Sequence, residues 1–294
     1  VTPDNAVSAH PFRDLTTVTL QGGGLDGPAG RYGAHIDPIW TIGPKVHGGC
    51  MMALCASAAR HELIRTAPDG MPVDPAVAPL AVSANYLTAP DPGDVDLVAT
   101  VRKRGRQVSL VDVELSQAGR PAVHAAVTLG VPDAGEPHYA EVQSLAQLPA
   151  EPTAEAHVLS KDHPMAQIVH VSQGSDLRVD GSSAHFLSGK QGEPQVRMWA
   201  RPWAEDEADP ATAALFAIMT GDICAPVTMN RGMFGWAPTV QLTTYLRRRP
   251  APGWLRVMAS STVLGDTWFE EDHTVLDSTG AVVVQSRQLA MIPK

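Results

Sequence analysis

Apolar and polar positions alternate along this chain in two separate passages. Val95, Leu97, Ala99 and Val101 interleave with Asp96, Val98, Thr100 and Arg102, the two-residue period of a strand with one buried face. "GRQ" at 105–107 interrupts the pattern. Val111, Val113 and Leu115 resume it against Asp112, Glu114 and Ser116, and after "QAG" at 117–119 a third run holds Val123, Ala125, Val127 and Leu129. Alternating runs joined by tight turns predict an antiparallel meander. The second passage reads likewise, with strands expected over 255–263, 267–276 and 281–292 and turns at Gly265-Asp266 and "DSTG" (277–280).

The two passages are copies. "YLTAPDPG" (86–93) leads the first and "YLRRRPAPG" (245–253) the second, and Pro90, Pro92 and Gly93 each stand 160 residues before Pro250, Pro252 and Gly253. Gly105 precedes Gly265 by 160, and Gly119 precedes Gly280 by 161. A nearly constant offset along the whole meander marks a duplicated unit.

An apolar helix is expected ahead of each meander. In the first copy it covers 47–63, where Ser57 is the one conventional polar residue between Cys50 and Ala59, so this helix must be covered nearly all round. In the second it covers 209–227 and opens with Asp209 as cap and Pro210 at the first helical position. "RYGAHI" (31–36) and "QVRMWARP" (195–202) read as the first strand of each unit. The stretch 131–160 holds five acidic residues, four prolines and no Lys or Arg, a linker composition. The expected organisation is an α+β protein with one unit over 1–130, an acidic, Pro-rich linker and irregular segment over 131–190, and a second unit over 191–294. The two meanders are expected to join edge to edge in one sheet.

Composition narrows the function classes. The 294 residues are 44% hydrophobic and 18% charged, which describes a globular chain and not a disordered one. The net charge of −9 argues against general nucleic-acid binding. No apolar run reads as a membrane span, and 1–11 carries no basic segment followed by an apolar one, so the expected compartment is the cytoplasm. Cys50, Cys55 and Cys224 are odd in number, lack metal spacing and sit in apolar stretches, so buried thiols are expected, with no metal and no cofactor. Two basic runs, 101–106 and 247–249, are either solvated hairpin ends or a site for a phosphorylated ligand. "GGG" at 22–24 lacks a following phosphate-binding helix, and no serine sits in Gly-x-Ser-x-Gly.

Several stretches in order resemble the TesB-like acyl-CoA thioesterases, the acyl-CoA thioesterase II family. They are Trp40, the "HGG" helix start at 47–49, "YLTAPDPG", "VRKRGRQVSLVDVELSQAGRP" (101–121), "VRMWAR" (196–201), the helix with Asp222, "PTVQLTTYLRR" (238–248) and "GAVVVQSRQLAM" (280–291). The resemblance implies a double hot dog, in which each antiparallel sheet wraps one long apolar helix, and hydrolysis of an acyl-CoA to free acid and CoA. Self-association into a homo-oligomer is implied by the resemblance alone.

Asp222 is the one charged residue between Ala211 and Met229. An isolated carboxylate in a buried helix is costly to ionise, so it is there either as a cap before Pro226 or for chemistry. The resemblance places it where the family has the aspartate that helps to activate water, and matches Thr239 and Gln288 to the family's threonine and glutamine, with Gln285 a rival for the last. A thioester is already electrophilic, so a held water and a carboxylate to take its proton suffice. Gly48 and Gly49, at a helix N-terminus, are candidates for the oxyanion donors, and Arg104 and Arg106 for contacts to CoA phosphates. His47 reads as structural, since spacing identifies no carboxylate partner for it. Met51, Met52, Met219, Met229 and Met233 suit an adaptable apolar cavity or plain core packing.

Two other functions compete. A hydratase on this fold pairs Asp with a His five positions later, and Asp133–His138 and Asp180–His185 have that spacing, without the flanking residues expected. A non-catalytic acyl-CoA or lipid binder would keep a cavity and lose the water site, so joint retention of Asp222, Thr239 and Gln288 favours the enzyme.

Overall fold

The computed structural model describes residues 8–23, 29–159 and 164–293. Gly24 and Ser160, at the ends of the 22–24 and 131–160 stretches, lie outside them, as do residues 1–7 of the 1–11 stretch. In chain order the strands are β1 (Thr19–Gly22), β2 (Gly30–Ile36), β3 (Thr41–Ile42), β4 (Lys45–Val46), β5 (Ala78–Tyr86), β6 (Gly93–Lys103), β7 (Ser109–Gln117) and β8 (Arg120–Gly130). There follow β9 (His157–Val158), β10 (Ser175–Val179), β11 (Gln195–Pro202), β12 (Thr239–Leu246), β13 (Leu255–Ser260), β14 (Trp268–Leu276) and β15 (Val282–Met291). The helices are α1 (Pro11–Thr16), α2 (Gly48–Arg65), α3 (Ala204–Glu207) and α4 (Pro210–Met219), with short 3-10 turns between elements.

All strands but the β3–β4 hairpin join one sheet in the order β1-β2-β6-β7-β8-β5-β12-β15-β14-β13-β11-β10-β9. The two meanders meet where β5 pairs antiparallel with β12. At the middle of that junction Ser83 faces Thr243, exactly one repeat offset away, and their hydroxyls are 2.6 Å apart. Asn85 faces Gln241 and Ala81 faces Tyr245, so the pairing is symmetric about this point. Each junction strand also has a register shift at the same place, between Pro79 and Ala81 in β5 and between Thr239 and Gln241 in β12. The duplication in sequence is therefore a two-fold relation in space, with its axis between Ser83 and Thr243.

α2 packs on β5, β6, β7 and β8, and also on α4, which covers β12, β15 and β5. Every residue from Gly49 to Ala59 is buried, as an unbroken apolar helix requires. Phe12, Trp40 and Phe216 meet edge to face within the core, Phe12 lying 5.5 Å from Trp40 and 5.2 Å from Phe216 between ring centroids. α4 starts as expected, Asp209 accepting from the Thr212 amide at 3.0 Å with Pro210 in the first turn. It stops earlier than expected, at Met219, because Thr220–Asp222 tightens into a 3-10 turn that continues into the Ile223 to Pro226 bend.

Three expectations need correction. The stretches at 31–36 and 195–202 are not the first strands of their halves: β1 pairs outside β2, and β10 and β9 extend the sheet beyond β11. The acidic segment is not a free linker, because Leu145 and Leu148 bury themselves against Trp199, Trp254 and Leu276. Pro210–Arg231 is apolar enough in composition to cross a membrane, contrary to the sequence reading, but it folds as α4 and two 3-10 turns and is largely buried.

Candidate active site

The N-terminus of α2 meets the turn that ends α4. Gly48 and Gly49 are needed for the approach: a Cβ on Gly48 would stand 2.7 Å from Asp222 Oδ2, and one on Gly49 would stand 2.6 Å from the Met219 carbonyl oxygen. Tyr86, at the end of β5, donates its hydroxyl to the Gly48 carbonyl at 2.9 Å. His47 caps α2 in extended conformation and donates from Nε2 to the Asp222 carbonyl at 2.9 Å, with the same nitrogen 3.7 Å from Asp222 Oδ2. His47 thus has a carboxylate neighbour, which spacing could not reveal because the two residues come from different halves of the chain.

Burial raises the proton affinity of Asp222 above the ordinary carboxylate range, while His47 and a hydrogen bond from the Gly49 amide oppose the rise. The side chain keeps a tenth of its surface exposed. Such a carboxylate is a stronger base than one in water and is not sealed from it. The same burial, with the Asp222 charge behind it, holds the neighbouring Cys50 thiol protonated and unreactive.

Thr239 and Gln288 are in direct contact. The Thr239 hydroxyl donates to Gln288 Oε1 at 2.6 Å, and Gln288 Nε2 donates to Glu271 Oε1 at 3.0 Å. Among the described residues neither bonds Asp222 directly. Gln288 instead leads to Glu271, a fully enclosed carboxyl whose other oxygen accepts from the Val227 amide at 2.9 Å and which feels the Asp222 charge. Burial and, less strongly, the Asp222 charge push Glu271 up to about 8, so it is mostly protonated at neutral pH. His273 Nε2 lies 3.5 Å from Glu271 Oε1, and burial pushes this ring down to about 4, so it is neutral. Gln285 lies on the exposed face of β15 and Gln288 on the buried one.

Glu271 and His273 were missed in the sequence although a signal was present. They alternate with Phe269 and Val275 on the inward face of β14, where apolar residues belong. Met51, Met52 and Met219 are buried in the core nearby, and Met229 and Met233 are half-buried.

The remaining candidates lie elsewhere. Arg104 is half-buried and donates to the Leu63 carbonyl and the Thr66 hydroxyl, each at 2.8 Å, which ties it to the C-terminal turn of α2. Arg106, exposed, follows it. Eighteen residues of α2 put that end about 27 Å from Gly48. Asp180 is engaged by Arg197 and Ser182, each at 2.8 Å, and Asp133 and His138 are exposed on the surface. Among the described residues no cluster of His, Cys, Asp and Glu is placed to hold a metal ion.

Known proteins point the same way. The family model for the acyl-CoA thioesterase N-terminal domain matches residues 36–130, and that for the C-terminal domain matches 145–292. An uncharacterized protein of Mycobacterium tuberculosis is 45% identical over 281 residues, covering 90% of this chain and 92% of the relative. Among solved structures, a protein of Thermobifida fusca assigned as a thioesterase II superposes with a TM-score of 0.77 at 25% identity, over 97% of this chain and 98% of that one. A conserved protein with hot dog fold from Alicyclobacillus acidocaldarius gives 0.74 at 16% identity, with 97% and 98% covered. An acyl-CoA thioesterase II, TesB2, from Mycobacterium marinum gives 0.66 at 14% identity, with 96% of each chain covered. These last two show the fold. With both family models matched, across most of its length, the chain belongs to the TesB-like acyl-CoA thioesterase family and is a thioester hydrolase of the hot dog fold.

Proposed function

We propose that the chain is a double hot dog enzyme that hydrolyses an acyl-CoA to free acid and CoA, with Asp222 as general base and Thr239 and Gln288 holding the water. The observation that carries this is the Asp222 carboxylate itself: buried beside His47, bonded by the Gly49 amide, raised in basicity, and still reached by solvent.

The water oxygen adds to the thioester carbonyl carbon as Asp222 takes one of its protons. Thr239 donates its own proton to Gln288, which leaves the threonine oxygen's lone pairs to accept from water, and Gln288 Nε2 keeps a second N–H to donate. The oxyanion that forms needs a donor. The Gly49 amide serves Asp222, so Gly48, whose amide begins α2 and has no intrahelical acceptor, is assigned that role. Collapse of the tetrahedral adduct breaks the carbon–sulfur bond, and the CoA sulfur leaves with the proton that Asp222 had taken. Arg104 and Arg106, beside the far end of α2, take no part in these steps and stay candidates for contacts to the CoA phosphates.

The test is a panel of acyl-CoA thioesters of graded chain length, scored for free thiol release. Turnover of at least one member, absent without enzyme, is the expected result. Binding of acyl-CoA without release of thiol from any member would make the chain a binding protein instead.

A further inference from the structure

The two-fold axis between Ser83 and Thr243 gives the Asp222 site a counterpart in the other half of the molecule. The strand offsets identify its residues. Thr239 maps 160 positions back to Pro79, Glu271 maps by the same offset to Val111, and Gln288 maps 161 back to Val127, as the matching registers of β5–β8 with β12–β15 and of β7–β8 with β14–β15 require. All three counterparts are apolar. The helices map through their caps, His47 onto Asp209, and Arg60 then stands as far past its cap as Asp222 does past Asp209. Where one site sets His47 against Asp222, its counterpart sets Asp209 against Arg60, with the order of charge reversed.

This counterpart is a cavity of about 180 Å³, whose lining includes Arg13, Ser57, Arg60, Asp209 and Arg249. Its lining thus brings three arginines to one carboxylate, which already caps α4, and Arg13 also donates to the Glu205 carbonyl at 3.3 Å and lies near the buried Asp206. Among the described residues none of the three arginines forms an ion pair. Arg60 donates to the Val77 carbonyl at 3.0 Å and Arg249 to the Ala76 carbonyl at 2.9 Å, so two cations are pinned to one turn and held close together. Burial and the nearby Arg249 charge accordingly hold Arg60 below the usual arginine range. Like charges fixed side by side need a counter-charge, and among the residues lining the cavity Asp209 supplies only one against three.

We infer that this second pocket has been converted from a hydrolytic site into a binding site for a phosphate dianion. Three positive charges against one negative leave an excess matched by a dianion. The volume is that of about six waters, enough for a phosphate group, and the charged lining suits an anion rather than an acyl chain. Guanidinium groups are the side chains best suited to phosphate oxygens.

The test is titration calorimetry with inorganic phosphate, with chloride at matched ionic strength as control, on the wild type and on Arg60→Gln, Arg249→Gln and Asp222→Asn. Saturable phosphate binding to the wild type is expected, with Kd about 10- to 100-fold weaker in Arg249→Gln, the loss expected for a charged hydrogen bond, and unchanged in Asp222→Asn. Should Arg60→Gln fail to fold, Arg249→Gln decides alone. Competition by CoA but not by 3′-dephospho-CoA would identify the nucleotide's phosphomonoester as the natural ligand, and no competition by either would identify free phosphate. No saturable binding, binding undiminished in Arg249→Gln, or binding lost in Asp222→Asn would overturn the inference.

Discussion

His47 Nε2 donates to the backbone carbonyl of Asp222 at 2.9 Å while standing 3.7 Å from that residue's carboxylate, so the cap of α2 in one half of the chain clamps the end of α4 in the other. Losing this buried hydrogen bond costs roughly 1–3 kcal/mol. His47→Ala should therefore lower the melting temperature and reduce kcat more than it raises KM, because the base is displaced and the binding surface is not. His47→Gln, which keeps an N–H donor, should recover part of both. An unchanged kcat in His47→Ala would show that the clamp has no part in positioning Asp222.

The two glycines of the α2 start should respond differently to the same added methyl group. In Gly48→Ala the Cβ meets the end of the Asp222 side chain, which can rotate away, so the fold should hold while kcat falls. In Gly49→Ala the Cβ meets the Met219 backbone, which cannot, so stability should fall by about 1–3 kcal/mol, as overpacking does. Thermal melts beside thiol-release assays separate the two. Equal melting temperatures for both variants would contradict the geometry.

Thr239 and Gln288 act through one hydrogen bond and should not behave independently. Thr239→Val and Gln288→Ala should each lower kcat less than loss of the base does, and the double variant should fall short of their summed effects by about 0.5–3 kcal/mol. A double-mutant cycle on kcat/KM measures this. Strict additivity would mean that the pair does not share a water.

Glu271 makes stability depend on pH in a defined window. Its folded pKa, about 8, exceeds the usual 4.5, so the folded chain holds an extra proton between those values and loses stability as pH rises through them. His273 is lowered from 6.5 to about 4, so the folded chain binds fewer protons there and gains stability as pH rises from about 4 to 6.5. The two oppose each other up to 6.5, and the fall due to Glu271 stands alone between 6.5 and 8. Denaturant melts should show that fall in the wild type and a flatter profile in Glu271→Gln. The same slope in both would contradict the assignment.

Much of this architecture could be read before any coordinates, because duplication left a countable offset and because Gly, Pro and alternation mark turns and strands directly. Asp222 stood out as a lone charge in an apolar helix. What could not be read was long-range pairing: His47 and Asp222 lie 175 residues apart, and nothing local in either announces the other. β10 alternates, but over five residues only, too short a run to stand out beside the long meander strands, and Leu145 and Leu148 are apolar exceptions in an acidic stretch whose composition suggested a linker. The charge of Arg104 is visible in sequence, and the helix end to which it also donates is not.

The central claim rests on one carboxylate, and Asp222→Asn tests it most directly. The substitution keeps size and removes the proton acceptor, so kcat for acyl-CoA hydrolysis should fall by about 10²–10⁴ with the melting temperature and acyl-CoA affinity retained. In the wild type, kcat/KM should rise with pH through a limb set above the usual carboxylate range, since burial raises Asp222 and only its deprotonated form can act. A folded Asp222→Asn protein that releases thiol at the wild-type rate would contradict the account.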